Sequence, residues 1–248
     1  MSLVLLETAI DTVFFMVLPY LAVLIFFAGL AYRVLKWQRI PAPNVPLAFY
    51  PPPKSTAVSL ALDETVFPRL MKNKILWLFG FLLHLVLVLL IIGHARLFYE
   101  YLDLLGLDAE TAATFALLSG GTSGVLFLIA VLGLLLRRMS IMLRKISVPE
   151  DFFLLLLLLA IGITGDYMRF ATHLDVTELQ SYFVSLVFLN PTLPSAVYEP
   201  GFILHYALAM LLLIYFPFSK LVHLIGSVFT NILVKIPPVK ESRTTGGK

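Results

Sequence analysis

Five stretches of this chain run for about twenty residues each without the polar face that a soluble helix keeps. They lie at about 12–32, 75–97, 112–136, 152–170 and 201–222. A helix rises about 1.5 Å per residue, so roughly 20 apolar residues cross the roughly 30 Å of hydrocarbon in a bilayer. In "FFLLLLLLAIGI" no polar residue recurs at the third or fourth position, which excludes a water-facing side. Composition agrees: 60% of the 248 residues are hydrophobic and 13% are charged, against about 25% charged in ordinary soluble domains. The expected fold is an all-α integral membrane protein, a bundle of five transmembrane helices. The opening "MSLVLLETAIDTVFF" lacks a basic segment and a small-residue cleavage site, and is read as leading into a retained first span. "LQSYFVSLVFLNPTLPSAVY" is apolar but interrupted by Pro191 and Pro194, and is expected to form a short surface helix rather than a sixth span.

Charge sets the expected topology. Seven Lys or Arg fall between Arg33 and Lys74, four in "RRMSIMLRK" and five from Lys220 onward, leaving only Arg96 and Arg169 elsewhere. By the positive-inside rule the N-terminus lies outside and the C-terminus is cytoplasmic in a multi-pass protein of the cell membrane. The loops on the other side carry Glu100, Asp103, Asp108, Glu110, Asp175 and Glu178. Residues 1–235 then form one membrane domain with a cytoplasmic loop at 33–74, and 236–248 a cytoplasmic tail. That loop, rich in proline yet also in Phe, Tyr, Leu and Val, reads as an extended segment that packs against a soluble partner.

Ionisable side chains inside a membrane usually face the bundle interior and mark function. Of five histidines, His84 and His94 fall on the second span, and His205 and His223 in or at the end of the fifth; His173 sits in a loop and reads as solvated. The two spans run in opposite directions, so depth pairs His94 with His205 and His84 with His223. Each pair suits the two axial positions of one b-type haem, since imidazole binds iron and apolar side chains take the porphyrin edge. Absence of cysteine excludes thiolate-held clusters within this chain. No H-x-x-x-H pattern points to zinc, and the second and fifth spans carry no mid-membrane carboxylate for a proton relay. One tension remains. His205 and His223 would be roughly 27 Å apart on a straight helix, His84 and His94 only about 15 Å. A kink at Pro217 and helix tilt are expected to absorb the difference.

"NKILWLFGFLLHLVLVLLIIGHARLF", "SGGTSGVLFLIAVLGLLLRR", "SVPEDFFLLLLLLAIGITGDYMRF" and "FILHYALAMLLLIYFPFSKLVH" resemble the cytochrome b superfamily of the respiratory nitrate reductase gamma subunit. The "RIPAPNVP" loop and "KISVPEDFFLLLLLLAIG" look closer to one branch, the membrane subunit M of the Dsr complex found beside dissimilatory sulfite reductase. The resemblance implies a five-helix dihaem anchor, with His84 and His223 holding the cytoplasm-proximal haem and His94 and His205 the distal one. It implies electron exchange between menaquinol near the outer face and a cytoplasmic iron–sulfur subunit resembling heterodisulfide reductase, with further membrane and periplasmic redox subunits. Thr114 stands where the nitrate reductase branch carries a quinol-serving lysine. Outer-side candidates for the quinone and haem edges are therefore Gly93, Arg96, Arg169 and Asp166, with Tyr99 beside them. Asp166 is placed to accept a quinol proton or to be neutralised by Arg169, and the arginines to pair with propionates. The run Gly120 to Gly124 is expected to pack closely against a porphyrin or a helix. Competing readings are a nitrate reductase gamma subunit, the cytochrome b of a heterodisulfide reductase, and a haem-free transporter or assembly protein.

Overall fold

The computed structural model describes residues 8–39, 73–172, 174 and 176–226, so His173, most of the long loop and the tail lie outside the described residues. The chain is all-helical there, with α1 at Leu18–Gln38, α2 at Lys74–His94, α3 at Ala109–Arg138, α4 at Pro149–Tyr167, α5 at Val176–Val187 and α6 at Pro200–Tyr215. A wider helical stretch, Thr12–Val17, leads into α1. Five helical segments are long and apolar enough to cross a membrane: Thr8–Gln38, Lys74–Leu97, Glu110–Arg138, Pro149–Thr172 and Pro200–Phe218. These are the five expected spans.

Local chemistry starts them where it should. Asp108 Oδ1 accepts the Thr111 N–H at 2.9 Å, and Asn73 Oδ1 that of Leu76 at 3.0 Å, each satisfying an orphan donor of the first turn. Pro149 and Pro200 occupy the first turn of α4 and α6, where a missing N–H costs nothing. The 12-residue α5 is amphipathic and too short to span. It buries Leu179, Tyr182 and Leu186 against Phe15, Val197, Phe202 and Tyr206, as the expectation of a surface helix requires.

In space α2 packs on α3, α3 on α4, α4 on α6 and α6 on α1. Val86, Phe127, Val131 and Leu158 form a mid-bundle core joining α2, α3 and α4. Among the described residues, α2 and α6 make hardly any backbone contact with each other, although both flank α3 and α4. The bundle has an acidic end, with Glu100, Asp108 and Glu178, and a basic end, with Arg33, Arg138 and Lys220.

The fifth span differs from expectation at its basic end. A continuous helix to residue 222 is replaced by a break: α6 stops at Tyr215, Phe216–Phe218 forms a tight turn, and Ser219 is extended (φ −98°, ψ 177°). A second turn, Lys220–Val222, leads to His223. Pro217 has no N–H to continue the ladder and its ring clashes with the preceding turn, so the helix ends rather than bends. Arg33 of α1 takes up the freed carbonyls, Nε donating to Pro217 O at 2.9 Å and Nη2 to Phe218 O at 3.4 Å.

Candidate functional site

The four span histidines meet in the two pairs that depth predicts. At the basic end the His84 and His223 Nε2 atoms are 3.4 Å apart, with ring centroids 5.8 Å apart and planes crossed at 81°. At the acidic end the His94 and His205 rings are 6.3 Å apart and nearly parallel, at 7°. The break in α6 removes the spacing conflict, because His223 no longer lies on the axis that carries His205.

Each imidazole is held through its other nitrogen. His84 Nδ1 donates to Gly80 O at 2.6 Å, and His94 Nδ1 to Leu90 O at 2.7 Å, both one turn back on α2. His223 Nδ1 donates to Lys220 O at 2.9 Å. His205 is tied instead to a neighbouring helix, its Nδ1 donating to Ile161 O at 3.1 Å and to Thr164 Oγ1 at 3.0 Å on α4. A carbonyl oxygen only accepts, so Nδ1 carries a proton in all four rings, which in a neutral imidazole leaves the lone pair on Nε2. Two such lone pairs facing each other across 3.4 Å repel unless a Lewis acid lies between them. His84 Nε2 and His223 Nε2 are the two atoms that would hold a metal centre between these rings.

The surroundings offer two nitrogen donors per pair and open space beside those on α2. No three His, Asp or Glu side chains converge on a metal-sized point among the described residues, so a site with three protein ligands is not formed there. A Cβ added at Gly80 or Gly93, beside the two α2 histidines, would meet nothing within 4 Å. Trp77 lies seven residues before His84 and so on the same face of α2. Its buried Nε1–H has no acceptor among the described residues.

A profile of the nitrate reductase gamma subunit family matches residues 65–239. The chain belongs to that family. It is 33% identical to an Hdr-like menaquinol oxidoreductase cytochrome b-like subunit of Archaeoglobus fulgidus, over 94% of this chain and 82% of the relative. A subunit of the same description from Archaeoglobus profundus is 27% identical, over 87% of this chain and 76% of the relative. With five apolar helices and this family, the chain is a multi-pass membrane protein.

In this family member the glycine run of α3 packs against α4. The Arg169 guanidinium fills the space at Gly120, with Cζ 2.6 Å from where a Cβ would sit, the Phe170 ring fills that at Gly121, and the Asp166 carboxylate presses on Gly124. Of the two partners expected for the run, the structure shows the helix. Arg169 Nη1 also donates to Ala116 O at 2.8 Å, so Asp166 and Arg169 both face α3. Arg96 is engaged by Glu100, its Nε donating to both carboxylate oxygens at 2.9 and 2.8 Å. Those hydrogen bonds hold the Glu100 carboxyl below its ordinary value, against the opposing effect of burial. The backbone N–H of Thr111 does the same for Asp108. Glu110, Thr111, Thr114, Phe115 and Leu118 line an open pocket of about 340 Å³ at this end of α3.

Thr164 is the site residue that sequence reasoning passed over. Its hydroxyl accepts from His205 while lying 2.9 Å from Ala160 O, and it is buried. A threonine inside an apolar span gives only a faint signal, because hydroxyls commonly bond back to their own helix, as Thr172 does with Met168 O. Gly165 beside it admits the ring, His205 Cε1 lying 3.2 Å from where a Cβ would be.

Proposed function

We propose that this chain is the dihaem cytochrome b subunit of a membrane-bound, quinone-linked oxidoreductase. The observation that carries the reading is the shared state of four histidines, each with Nδ1 on an oxygen acceptor and each beside its partner ring, His84 with His223 and His94 with His205. His84 and His223 would hold one haem b, His94 and His205 the other. Bound there, each haem supplies a one-electron carrier whose potential follows its axial ligands and their hydrogen bonds. The chain's own residues orient the ligand rings through their Nδ1 hydrogen bonds and leave open space at Gly80 and Gly93.

The relatives are described as cytochrome b-like subunits of Hdr-like menaquinol oxidoreductases. That supports menaquinone as the mobile partner of this chain and a heterodisulfide-reductase-like iron–sulfur subunit as the docked one, within a larger complex. The excess of basic residues at the His84/His223 end favours that end as cytoplasmic, and the His94/His205 end as outer. A quinone near the outer pair would approach past Gly93, with Arg96, Arg169 and Asp166 as its polar neighbours and Asp166 as proton acceptor. Trp77 Nε1–H would donate to an acidic edge at the inner pair. Within the family the loop motifs favour the sulfite-linked Dsr branch over the nitrate-linked one.

A reduced-minus-oxidised spectrum of the purified chain, with haem quantified per polypeptide, tests the reading. Two b-type haems per chain are expected; none would leave the haem-free alternative standing. Co-purification separates the branches, because an iron–sulfur partner is expected and a molybdenum-containing one would favour the nitrate-linked complex. A finer prediction concerns Thr164. Thr164→Val keeps the shape but removes the oxygen that accepts from His205 Nδ1–H, lowering the basicity of that ligand. The His94/His205 haem should rise in potential by on the order of tens of millivolts, the scale of one hydrogen bond of about 1 kcal/mol, while the other stays put in a redox titration.

A further inference from the structure

Three of the four paired histidines draw their position from regular helix. His84 and His94 bond one turn back on α2, and His205 stands on α6 and bonds to α4. His223 does not. The extended Ser219 separates it from α6, so no unbroken helical ladder transmits the position of the span to its ring. Something else must locate the turn that carries it.

We propose that Lys220 is a positioning residue for His223, clamped by the paired carboxylates of Glu150 and Asp151 at the start of α4. The inference rests on the dihaem reading. Lys220 is held at both ends: its backbone N–H donates to Glu150 Oε1 at 3.0 Å, and its Nζ to Asp151 Oδ1 at 2.6 Å. Its carbonyl then accepts from His223 Nδ1 at 2.9 Å, setting the tautomer and the direction of the ring. Asp151 is a rigid anchor. Its side chain is only 5% exposed, its Oδ2 accepts the Val148 N–H at 3.1 Å, and Arg138 of α3 lies 3.5 Å away. Ser219 Oγ accepts the Leu221 N–H at 3.1 Å, closing the same turn from within. Two helices thus reach the segment, α1 through Arg33 on the freed carbonyls and α4 through two acids, while Arg138 of α3 braces Asp151.

The arrangement has a directional logic. Lys220 Nζ is about half exposed, so its ion pair alone would be screened by solvent. The backbone bond to Glu150 is independent of that screening, and together the two contacts restrain the peptide whose carbonyl orients the imidazole. Loosening them frees His223 to rotate away from His84 without disturbing the acidic-end pair.

The test uses the full-length chain in detergent or native membranes, with Lys220→Met and Lys220→Arg compared to wild type by magnetic circular dichroism and electron paramagnetic resonance. In Lys220→Met about half of the six-coordinate low-spin signal should be lost or converted to high spin, all of it from the His84/His223 site. Crossed and parallel ligand planes give the two sites distinguishable signatures. Lys220→Arg, which keeps charge and reach, should restore the wild-type spectrum. Because Met leaves Asp151 with Arg138 as its remaining cation, the Lys220→Met/Asp151→Asn double variant guards against misfolding. It should show the same site-selective loss. Two intact low-spin sites in a folded Lys220→Met chain would overturn the proposal, as would equal loss at both sites. A wild-type chain without haem would instead remove the dihaem reading itself.

Discussion

A His94→Ala chain is expected to lose the haem at the acidic end and keep the one at the basic end. His94 ends α2 beside a ring held in a parallel plane by α4, so on the proposed reading the alanine removes one of the two ligands while His205 stays fixed by Thr164 and Ile161. Ten residues of helix, roughly 15 Å, separate His94 from His84. Sites that far apart with no shared partner behave independently. Haem per polypeptide should therefore fall by about half, and the remaining signal should be that of the crossed His84/His223 pair. His84→Ala should give the complementary result. Two haems retained in His94→Ala would refute the pairing.

The second large effect is one of packing. Gly29→Ala should destabilise the protein by about 1–3 kcal/mol, as overpacked positions do. It should also disturb the basic-end pair selectively. A Cβ on Gly29 would sit 2.5 Å from Pro217 Cβ and 2.8 Å from its Cγ. A pyrrolidine ring cannot rotate away, so α1 must move off the break in the fifth span. Arg33 lies one turn further along α1, and its Nε bond to Pro217 O would be pulled with it. A lowered melting temperature together with broadening of the His84/His223 signature is the expected result. An unchanged melting temperature would show that α1 and the break are not tightly coupled.

Sequence reasoning reached the spans because membrane insertion is decided by composition over about twenty residues, which needs no tertiary information. It reached the pairing because helix rise alone sets depth, and because antiparallel spans allow only one matching of heights. The break after Pro217 was half legible. Proline marks a disruption, but whether a helix bends or stops depends on what receives the freed carbonyls, and that residue, Arg33, lies 184 positions away. The directions of Asp166 and Arg169 were not legible at all. Both belong to a span with apolar residues on every side, so nothing local tells which face meets the glycines of α3. Thr164 was missed for a similar reason. A hydroxyl in a span looks the same whether it serves its own helix or the ring of another.

The sparse contact between α2 and α6 bears on how the protein is made. His84 and His223 are 139 residues apart in the chain, and neither pair exists until the fifth span has emerged from the ribosome and entered the bilayer. Before then α2, little of which is buried, leans among the described residues mainly on α3 and, through Val86, on the core shared with α4. Maturation would thus be a late, post-insertional event, in which a nearly finished bundle with a parted seam is drawn shut by what it receives.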